Sequence, residues 1–309
     1  MSNLENSLWT EKYRPKNLDE YIGNDSLKAK IKKYLDEGDV PHLLFFGKPG
    51  TGKTSLAKII AKHMDADVLY INASDENNLE TVRSKIKDFA SSMGFKKWRL
   101  IILDEADGLT PGSQNALRNI IETFSKHCRF ILTCNYVERV IEPLQSRCRP
   151  NQIFPPSRGA VAKRVVDILK ENNITFSKEV LTTIINKKYP DVRSIIELCQ
   201  DNIVGNELLL DEAAIIESEY LSKLITVLGA TVDIKQKYQD CRQIISDSKV
   251  TTFDELYRYL YDNLNEFASQ KLHGDIILMV AEYQYKDSFV VDKEINVVAL
   301  LINIMRELK

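Results

Sequence analysis

Short apolar runs alternate with amphipathic stretches through the first half of the chain. The runs lie at residues 42–46, 67–71, 99–103 and 128–133, with a fifth near 152–154. Between them, apolar residues recur at helical spacing over 24–37, 52–63, 78–93 and 113–125. Runs that are apolar throughout indicate strands covered on both faces, and their alternation with helices predicts a parallel sheet. The expected fold class for this half is α/β.

The pattern changes at a proline-rich stretch, where Pro150, Pro155 and Pro156 lie close together. Beyond it, apolar residues such as Val161, Val165 and Ile168 recur at helical spacing, which predicts a mostly helical second half. Gly229 lies in the region where we divide that half. We therefore expect three domains: an α/β domain over 1–157, a small helical domain over 158–225 and a second helical domain over 226–309.

Composition indicates an ordinary globular protein, with 44% hydrophobic and 28% charged residues in 309. Apolar runs are far shorter than a membrane span requires, and residues 1–12 lack the pattern of a signal peptide. The five cysteines form no C-x-x-C pair, which argues against a disulfide framework or a zinc ribbon. The expectation is a cytoplasmic protein with no membrane partner.

Charge is distributed unevenly along the chain. The net charge is −2, but residues 1–157 carry 23 Lys and Arg against 20 Asp and Glu, whereas residues 158–309 carry 19 against 24. An overall negative charge argues against general nucleic-acid binding. Any contact with DNA should therefore be a local patch on the first half of the chain.

A glycine-rich sequence, GKPGTGKT, follows the first predicted strand and precedes a predicted helix. It matches G-x-x-x-x-G-K-[ST], the phosphate-binding loop, in which backbone N–H groups and the helix N-terminus face the phosphates of ATP. Lys53 should reach the β- and γ-phosphates, and the Thr54 hydroxyl should ligate Mg²⁺. The predicted ATP-binding residues here are Gly47, Lys48, Pro49, Gly50, Thr51, Gly52, Lys53, Thr54 and Ser55.

A second motif, LIILDEAD, places two carboxylates where the third predicted strand ends. The carboxyl edge of a parallel sheet is where such folds present their ligand site. Asp104 is predicted to hold Mg²⁺, and Glu105 to polarise the attacking water as general base. We expect Asp107 to be a cap or turn residue rather than a catalyst.

Further short motifs give the chain a resemblance to a known family. They are WTEKYRP at 9–15, NASD at 72–75, LTCN at 132–135 and LQSRCR at 144–149. With the two motifs above, they resemble the AAA+ clamp-loader ATPases, which include the replication factor C small subunits of archaea and eukaryotes and the large clamp-loader subunit of T-even-type phages. The motifs cover residues 9–200, and the helical remainder agrees with the family in length and character only.

The resemblance implies roles for residues outside the first two motifs. Asn135 would position water against the γ-phosphate, and Arg193, on the helical lid, would contact that phosphate. Arg147 would be an arginine finger that enters the ATP site of a neighbouring subunit. The adenine pocket would be lined by Tyr13, Arg14, Pro15, Ile22 and Gly23, although these residues could equally form an N-terminal packing strap. The three domains would be an AAA+ core, a helical lid and an oligomerising collar.

The resemblance also implies partners: a sliding clamp, primer–template DNA and other clamp-loader subunits in a heteropentamer. The candidates for phosphate contacts with DNA are Arg83, Lys85, Lys87 and Ser113 at the start of the next helix. Met93 and Phe95 correspond to the apolar tip with which the family binds the clamp. A solvated basic helix face is an equally good interpretation of any single lysine here.

Departures from the family keep other interpretations open. NASD is followed by Glu76-Asn77-Asn78 rather than by an acidic residue, Arg and Gly, and the short C-terminal region favours the phage branch. One alternative is an AAA+ helicase or branch-migration motor, for which a basic DNA-binding wing would be expected. Another is a non-hydrolysing structural subunit, but such subunits usually lose residues equivalent to Lys53 or Glu105.

Overall fold

A computed structural model describes residues 8–73, 79–92, 95–210, 212–250 and 252–308, without the side chains of 79–83 and 212–219. Two compact units divide the chain, Met1–Leu209 and Leu210–Lys309. Ser74 and Asp75 of the NASD motif lie outside the described residues.

The first unit is built on a sheet of five parallel strands. The strands are β1 Leu43–Phe46, β2 Ala66–Asn72, β3 Trp98–Asp104, β4 Cys128–Cys134 and β5 Arg149–Gln152. Their order in the sheet is β2-β3-β4-β1-β5. The α/β fold class and the first four strands are confirmed.

The fifth strand begins earlier than predicted, at Arg149 rather than near Gln152, and it contains Pro150, which we assigned to the proline-rich stretch. Pro150 is tolerated because β5 is an edge strand that pairs with β1 alone. Arg149 and Ile153 donate backbone hydrogen bonds to β1 and its flanks, so the nitrogen of Pro150 faces away from that ladder.

Helices cover both faces of this sheet, as the apolar strands require. The helices of this region are α1 Trp9–Lys12, α2 Asp25–Asp36, α3 Lys53–His63, α4 Leu79–Ser91, α5 Pro111–Phe124 and α6 Glu142–Gln145. Alternate strand residues enter two cores: Leu44 and Ile101 pack with α4 and α5, whereas Phe45 and Ile102 pack with α2 and α3. The double burial of β1, β3 and β4 explains why these strands are largely apolar, whereas the edge strand β2 is partly exposed.

A helical subregion completes the first unit. It comprises α7 Arg158–Glu171, α8 Lys178–Lys188 and α9 Val192–Asp201, together with a small sheet of β6 Thr175–Phe176, β7 Ile203–Val204 and β8 Glu207–Leu208. Each helix begins at a side-chain cap: Ser157, Ser177 and Asp191 accept hydrogen bonds from backbone N–H groups of the first turn. The sequence pattern did not predict the small sheet, since its strands have only two residues each.

The second unit is helical, as predicted. Its helices are α10 Glu212–Gly229, α11 Ile234–Ser248, α12 Asp254–Asp262, α13 Leu264–Phe267, α14 His273–Asp287 and α15 Lys293–Glu307. A buried polar network ties three of them together: the hydroxyl of Tyr257 donates to Asp287 at 3.1 Å and accepts from Asn296 at 2.9 Å. Lys293 lies 2.9 Å from Asp287 and compensates the buried carboxylate.

The three-domain scheme stays a prediction. The boundary between the two units lies between residues 209 and 210. Helix α10 is continuous through residue 225, where we predicted the end of the lid. No helix in the described ranges is long and apolar enough to cross a bilayer.

His42, immediately before β1, should make stability depend on pH. Its Nδ1 accepts a hydrogen bond from the backbone N–H of Phe130 at 3.2 Å, which requires that nitrogen to be unprotonated. Burial, aided by the charge of Arg129, lowers the pKa of His42 to about 4. His42 is therefore protonated below about pH 6.5 in the unfolded chain but only below about pH 4 in the folded chain. The free energy of unfolding consequently decreases as pH falls through this range.

We expect His42→Asn, which retains an acceptor but does not titrate, to flatten the loss of unfolding free energy between pH 6.5 and 5. The removed slope should approach about 1.4 kcal/mol per pH unit. Urea unfolding at several pH values measures it, and the exposed His127→Asn is the matched control. An unchanged slope in His42→Asn would contradict the assignment.

Candidate active site

The phosphate-binding loop joins β1 to α3 and is held by close contacts. Lys53, buried at the first position of α3, donates hydrogen bonds to the carbonyls of Gly47 and Lys48, both at 2.8 Å. The Thr51 hydroxyl donates to the carbonyl of Lys48 at 2.8 Å. Burial lowers the pKa of Lys53. The loop is thus compact, with a desolvated ammonium group beside it.

Asp104, at the end of β3, is the most heavily hydrogen-bonded carboxylate of the site. The Thr54 hydroxyl lies 2.9 Å from each of its oxygens. The Thr133 hydroxyl, from β4, donates to Oδ1, and the Tyr70 hydroxyl, from β2, donates to Oδ2 at 2.5 Å. Three different elements therefore orient one buried carboxylate.

The donor set of this site fits Mg²⁺. A hydroxyl and a carboxylate meet at Thr54 and Asp104, and Mg²⁺ prefers such hard oxygen ligands and completes its shell with water and phosphate. Within the described ranges, no group of three or more His, Cys, Asp or Glu residues could hold a metal ion.

The acidic residues that follow β3 differ in what holds them. Glu105 is exposed, and its backbone lies in the left-handed region, with φ 56°, where its N–H donates to Thr133 Oγ1 at 3.2 Å. Such a conformation is uncommon for a residue other than glycine and concentrates at functional sites. Asp107 accepts backbone hydrogen bonds from Asn135 and Tyr136, at 3.1 and 3.0 Å, as a cap residue would.

The start of α9 contacts the phosphate-binding loop directly. Val192 donates its backbone N–H to the carbonyl of Gly50 at 3.2 Å. A Cβ on Gly50 would lie 1.8 Å from Oδ1 of Asp191, the cap of α9. This contact places Arg193, whose side chain is exposed, at the wall of a cavity that lies between the loop and α9.

The cavity between the loop and α9 collects most of the predicted residues. Those that line it are Tyr13, Arg14, Pro15, Ile22, Gly50, Thr51, Gly52, Lys53, Thr54, Ser55, Asp104, Glu105 and Arg193. Gly47, Lys48, Pro49, Gly23 and Asn135 are not among its lining residues. Gly23 instead packs on Pro156, and Asn135 follows the end of β4.

Sequence reasoning missed several residues of this cavity, including Tyr21, Lys58, Tyr70 and Arg164. The Tyr21 hydroxyl donates to the carbonyl of Thr51 at 3.4 Å, and Tyr70 contacts Asp104. Lys58 follows Thr54 by one helical turn, a spacing that could have placed it on the same face of α3. The others come from separate elements and carried no motif.

The N-terminal segment both lines the cavity and packs against the helical subregion. Trp9 donates its backbone N–H to Oε1 of Gln200 at 2.8 Å, and Arg164 donates to the carbonyl of Tyr13 at 3.1 Å. Tyr13 is 7% exposed and accepts a hydrogen bond from Asn172. A packing strap and a wall of the nucleotide pocket are therefore compatible roles for this segment.

Arg147 lies at the opposite edge of the sheet. Arg149 donates its backbone N–H to His42, at the amino end of β1, whereas the phosphate-binding loop follows the carboxyl end. The chain from His42 to Gly47 is extended and spans roughly 16 Å. The Arg147 guanidinium is paired with Glu122 at 2.6 Å, and both side chains are largely exposed. Arg147 is therefore remote from the cavity of its own subunit.

The candidate DNA and clamp contacts have different surroundings. Lys85 and Lys87 are exposed on α4, and the side chain of Arg83 lies outside the described residues, as does Met93. Ser113 is half-buried and its N–H donates to the cap residue Thr110 at 3.3 Å. Phe95 is fully exposed, with its N–H held by Asp67 at 2.9 Å. The contacts of these residues with DNA and clamp stay predictions.

Comparison with known proteins defines the class. Residues 43–156 match the model of the ATPase family associated with various cellular activities, AAA. The matched segment begins at β1 and ends just beyond β5, so it contains the loop, Asp104 and Glu105. The chain is an AAA ATPase that binds nucleotide.

Relatives identify the family within that class. The replication factor C small subunit of Archaeoglobus fulgidus is 36% identical over 79% of this chain and 78% of its own length. The replication factor C small subunit 1 of Pyrobaculum arsenaticum is 30% identical over 95% and 92%. The probable replication factor C subunit 5 of Dictyostelium discoideum is 40% identical over 64% and 59%. The chain belongs to the replication factor C small-subunit family, which confirms the resemblance to clamp-loader ATPases; the preference for the phage branch stays a prediction.

Solved structures agree on the fold. The RuvB Holliday junction branch migration motor of Thermotoga maritima has a TM-score of 0.56 at 17% identity, over 85% of this chain and 98% of that protein. A point mutant of the same RuvB has a TM-score of 0.57 at 16% identity, over 86% and 98%. At such identities the likeness concerns the fold alone.

Gly47 offers a test of how tightly the loop is built. Its φ is +148°, and a Cβ there would lie 2.4 Å from the backbone oxygen of Ile153. We expect Gly47→Ala to lower the free energy of unfolding by about 1–3 kcal/mol, because backbone must move to relieve the contact. The matched control is Gly159→Ala in α7, where a Cβ would meet nothing within 4 Å and should stabilise by about 0.5–1 kcal/mol. Equal effects in urea unfolding would contradict this view of the loop.

Proposed function

We propose that the chain is an ATPase subunit of a DNA sliding-clamp loader, in which ATP binding drives clamp opening and primer–template binding, and hydrolysis releases the closed clamp. The observation that carries the proposal is the single cavity shared by Lys53, Asp104, Glu105 and Arg193. Family membership supplies the replication role.

In this proposal the loop and the sheet edge bind the triphosphate. Lys53 turns from the loop carbonyls to the β- and γ-phosphates, and the N–H groups at the start of α3 face the same charge. Thr54 and Asp104 would hold Mg²⁺, which supplies neutralisation of charge on the phosphates. Glu105 orients and deprotonates the attacking water, and Asn135 positions it. Tyr13, Pro15 and Ile22 contact the adenine.

Helix α9 couples ATP to conformation in the proposal. Arg193 and the α9 cap Asp191 lie beside the loop, so a γ-phosphate that binds Arg193 draws the helical subregion toward the sheet edge. Domain closure of this kind excludes water and completes the catalytic arrangement. The free energy of ATP binding thereby drives movement, as a loader requires.

Arg147 completes the active site of a neighbouring subunit. Its place at the amino edge of the sheet supports action in trans, since roughly 16 Å of extended chain separate that edge from the loop. A guanidinium that stabilises charge on the transferring phosphoryl group increases the rate by about 10³–10⁵-fold. Turnover therefore depends on assembly with other subunits, for which the family suggests a heteropentamer.

Lys85, Lys87, Arg83 and Ser113 would contact DNA phosphates, and Met93 with Phe95 would bind the clamp. Phe95 is fully exposed, so its ring is available for the second contact. A branch-migration motor is the weaker alternative, since its support is likeness of fold at 16–17% identity.

The test is ATP turnover by the chain, assembled with its partner subunits, with and without the cognate clamp and primed DNA. We expect slow basal turnover and strong stimulation that requires both ligands. Glu105→Gln should bind ATP without turnover, because only the general base is lost. Arg147→Ala should lower the stimulated rate of turnover by about 10³-fold or more. The control is Arg118→Ala, which removes an arginine bound to Asn119 on α5.

Stimulation by DNA that is indifferent to the clamp would instead favour a helicase-type motor. Turnover that is absent in every mixture would favour a structural subunit.

A further inference from the structure

Tyr70 lines the nucleotide cavity beside the carboxylate of Asp104. It lies near the carboxyl end of β2, where β2 pairs in parallel with β3 and Tyr70 is opposite Ile102. Its side chain is 42% exposed and lines the cavity, and its hydroxyl donates to Asp104 Oδ2 at 2.5 Å. A surface position in a strand thus carries a polar contact to the centre of the site.

Each carboxylate oxygen of Asp104 accepts a hydrogen bond from a different side chain of the sheet. Thr133 holds Oδ1 and Tyr70 holds Oδ2, whereas Thr54 contacts both. When the Thr54 hydroxyl turns toward a metal ion, Thr133 and Tyr70 remain to fix the plane of the carboxylate. Hydrogen-bond partners of this outer kind set the orientation of a ligating group.

The phenol itself is held in place and stays a donor. The ammonium group of Lys58 lies 5.1 Å from the centroid of the Tyr70 ring, within the range of a cation–π contact. Lys58 follows Thr54 by one turn of α3, so the helix that supplies the hydroxyl also positions the ring. A tyrosine hydroxyl is protonated at neutral pH, so it can donate to the carboxylate of Asp104.

We propose that Tyr70 is a positioning residue of the ATPase site, which orients Asp104 for Mg²⁺ and so sets the metal dependence of nucleotide binding. The inference rests on the proposed ATP site but not on the clamp, the DNA or the arginine finger.

The test measures binding of a fluorescent ATP analogue at equilibrium, first in EDTA and then over a titration of Mg²⁺. Tyr70→Phe removes only the hydroxyl, and its affinity in EDTA is the reference from which the effect of Mg²⁺ on the variant is measured. The Mg²⁺ concentration for half-maximal enhancement should rise about tenfold, as for other outer-sphere partners of a metal. Tyr261→Phe, at a tyrosine of similar exposure (46%) in the second unit, is the matched control and should change neither quantity.

The same titration in an Asp104→Asn background separates positioning from a general structural effect. If Tyr70 acts through Asp104, adding Tyr70→Phe to Asp104→Asn should leave the Mg²⁺ concentration for half-maximal enhancement unchanged. A tenfold change that persists there would overturn the inference, as would a Mg²⁺ dependence of Tyr70→Phe equal to that of the wild type. A lower Mg²⁺ requirement would also overturn it, because the phenol would then compete with the metal.

Failure of the proposed function gives a different result. Wild-type protein that does not bind the analogue, with or without Mg²⁺, would overturn the ATP site itself. Wild-type protein that binds it equally with and without Mg²⁺ would overturn the metal site and the role of Tyr70 with it.

Discussion

The five strands of the sheet run in one direction, and this constraint fixes where the chemistry of the chain can take place. The carboxyl ends of β1, β3 and β4 meet at one edge, which brings Lys53, Asp104 and Asn135 to that edge. Arg147 precedes β5 and so lies at the other edge. One chain therefore presents an ATP site on one side and an arginine on the opposite side. If that arginine serves an ATP site at all, the site is completed by two chains, and hydrolysis depends on assembly.

The parts of the site that are contiguous in sequence could be predicted from sequence. The phosphate-binding loop needs glycines, a lysine and a hydroxyl in fixed order, and Asp104 and Glu105 need only the end of an apolar strand. The central strands β1, β3 and β4 were predictable because burial on both faces leaves them largely apolar. The family followed from the same short motifs and agrees with the relatives found.

The remaining parts depend on contacts that sequence patterns do not encode. Tyr70 occupies an exposed strand position, and only the pairing of β2 with β3 brings its hydroxyl to Asp104. Pro150 belongs to the proline-rich stretch at which the sequence pattern changes, yet it lies within β5, because an edge strand tolerates a proline. Each difference arises from which element lies beside which.

Action of Arg147 in trans is the central claim, and complementation between two defective chains tests it most directly. A Lys53→Ala chain should not bind ATP but retains its arginine, and an Arg147→Ala chain binds ATP but lacks the arginine. Turnover should be low for assemblies of either variant and should recover when the two are mixed and co-assembled with clamp and primed DNA. If mixed assemblies form and bind ATP but turnover stays at the level of the separate variants, the claim is contradicted.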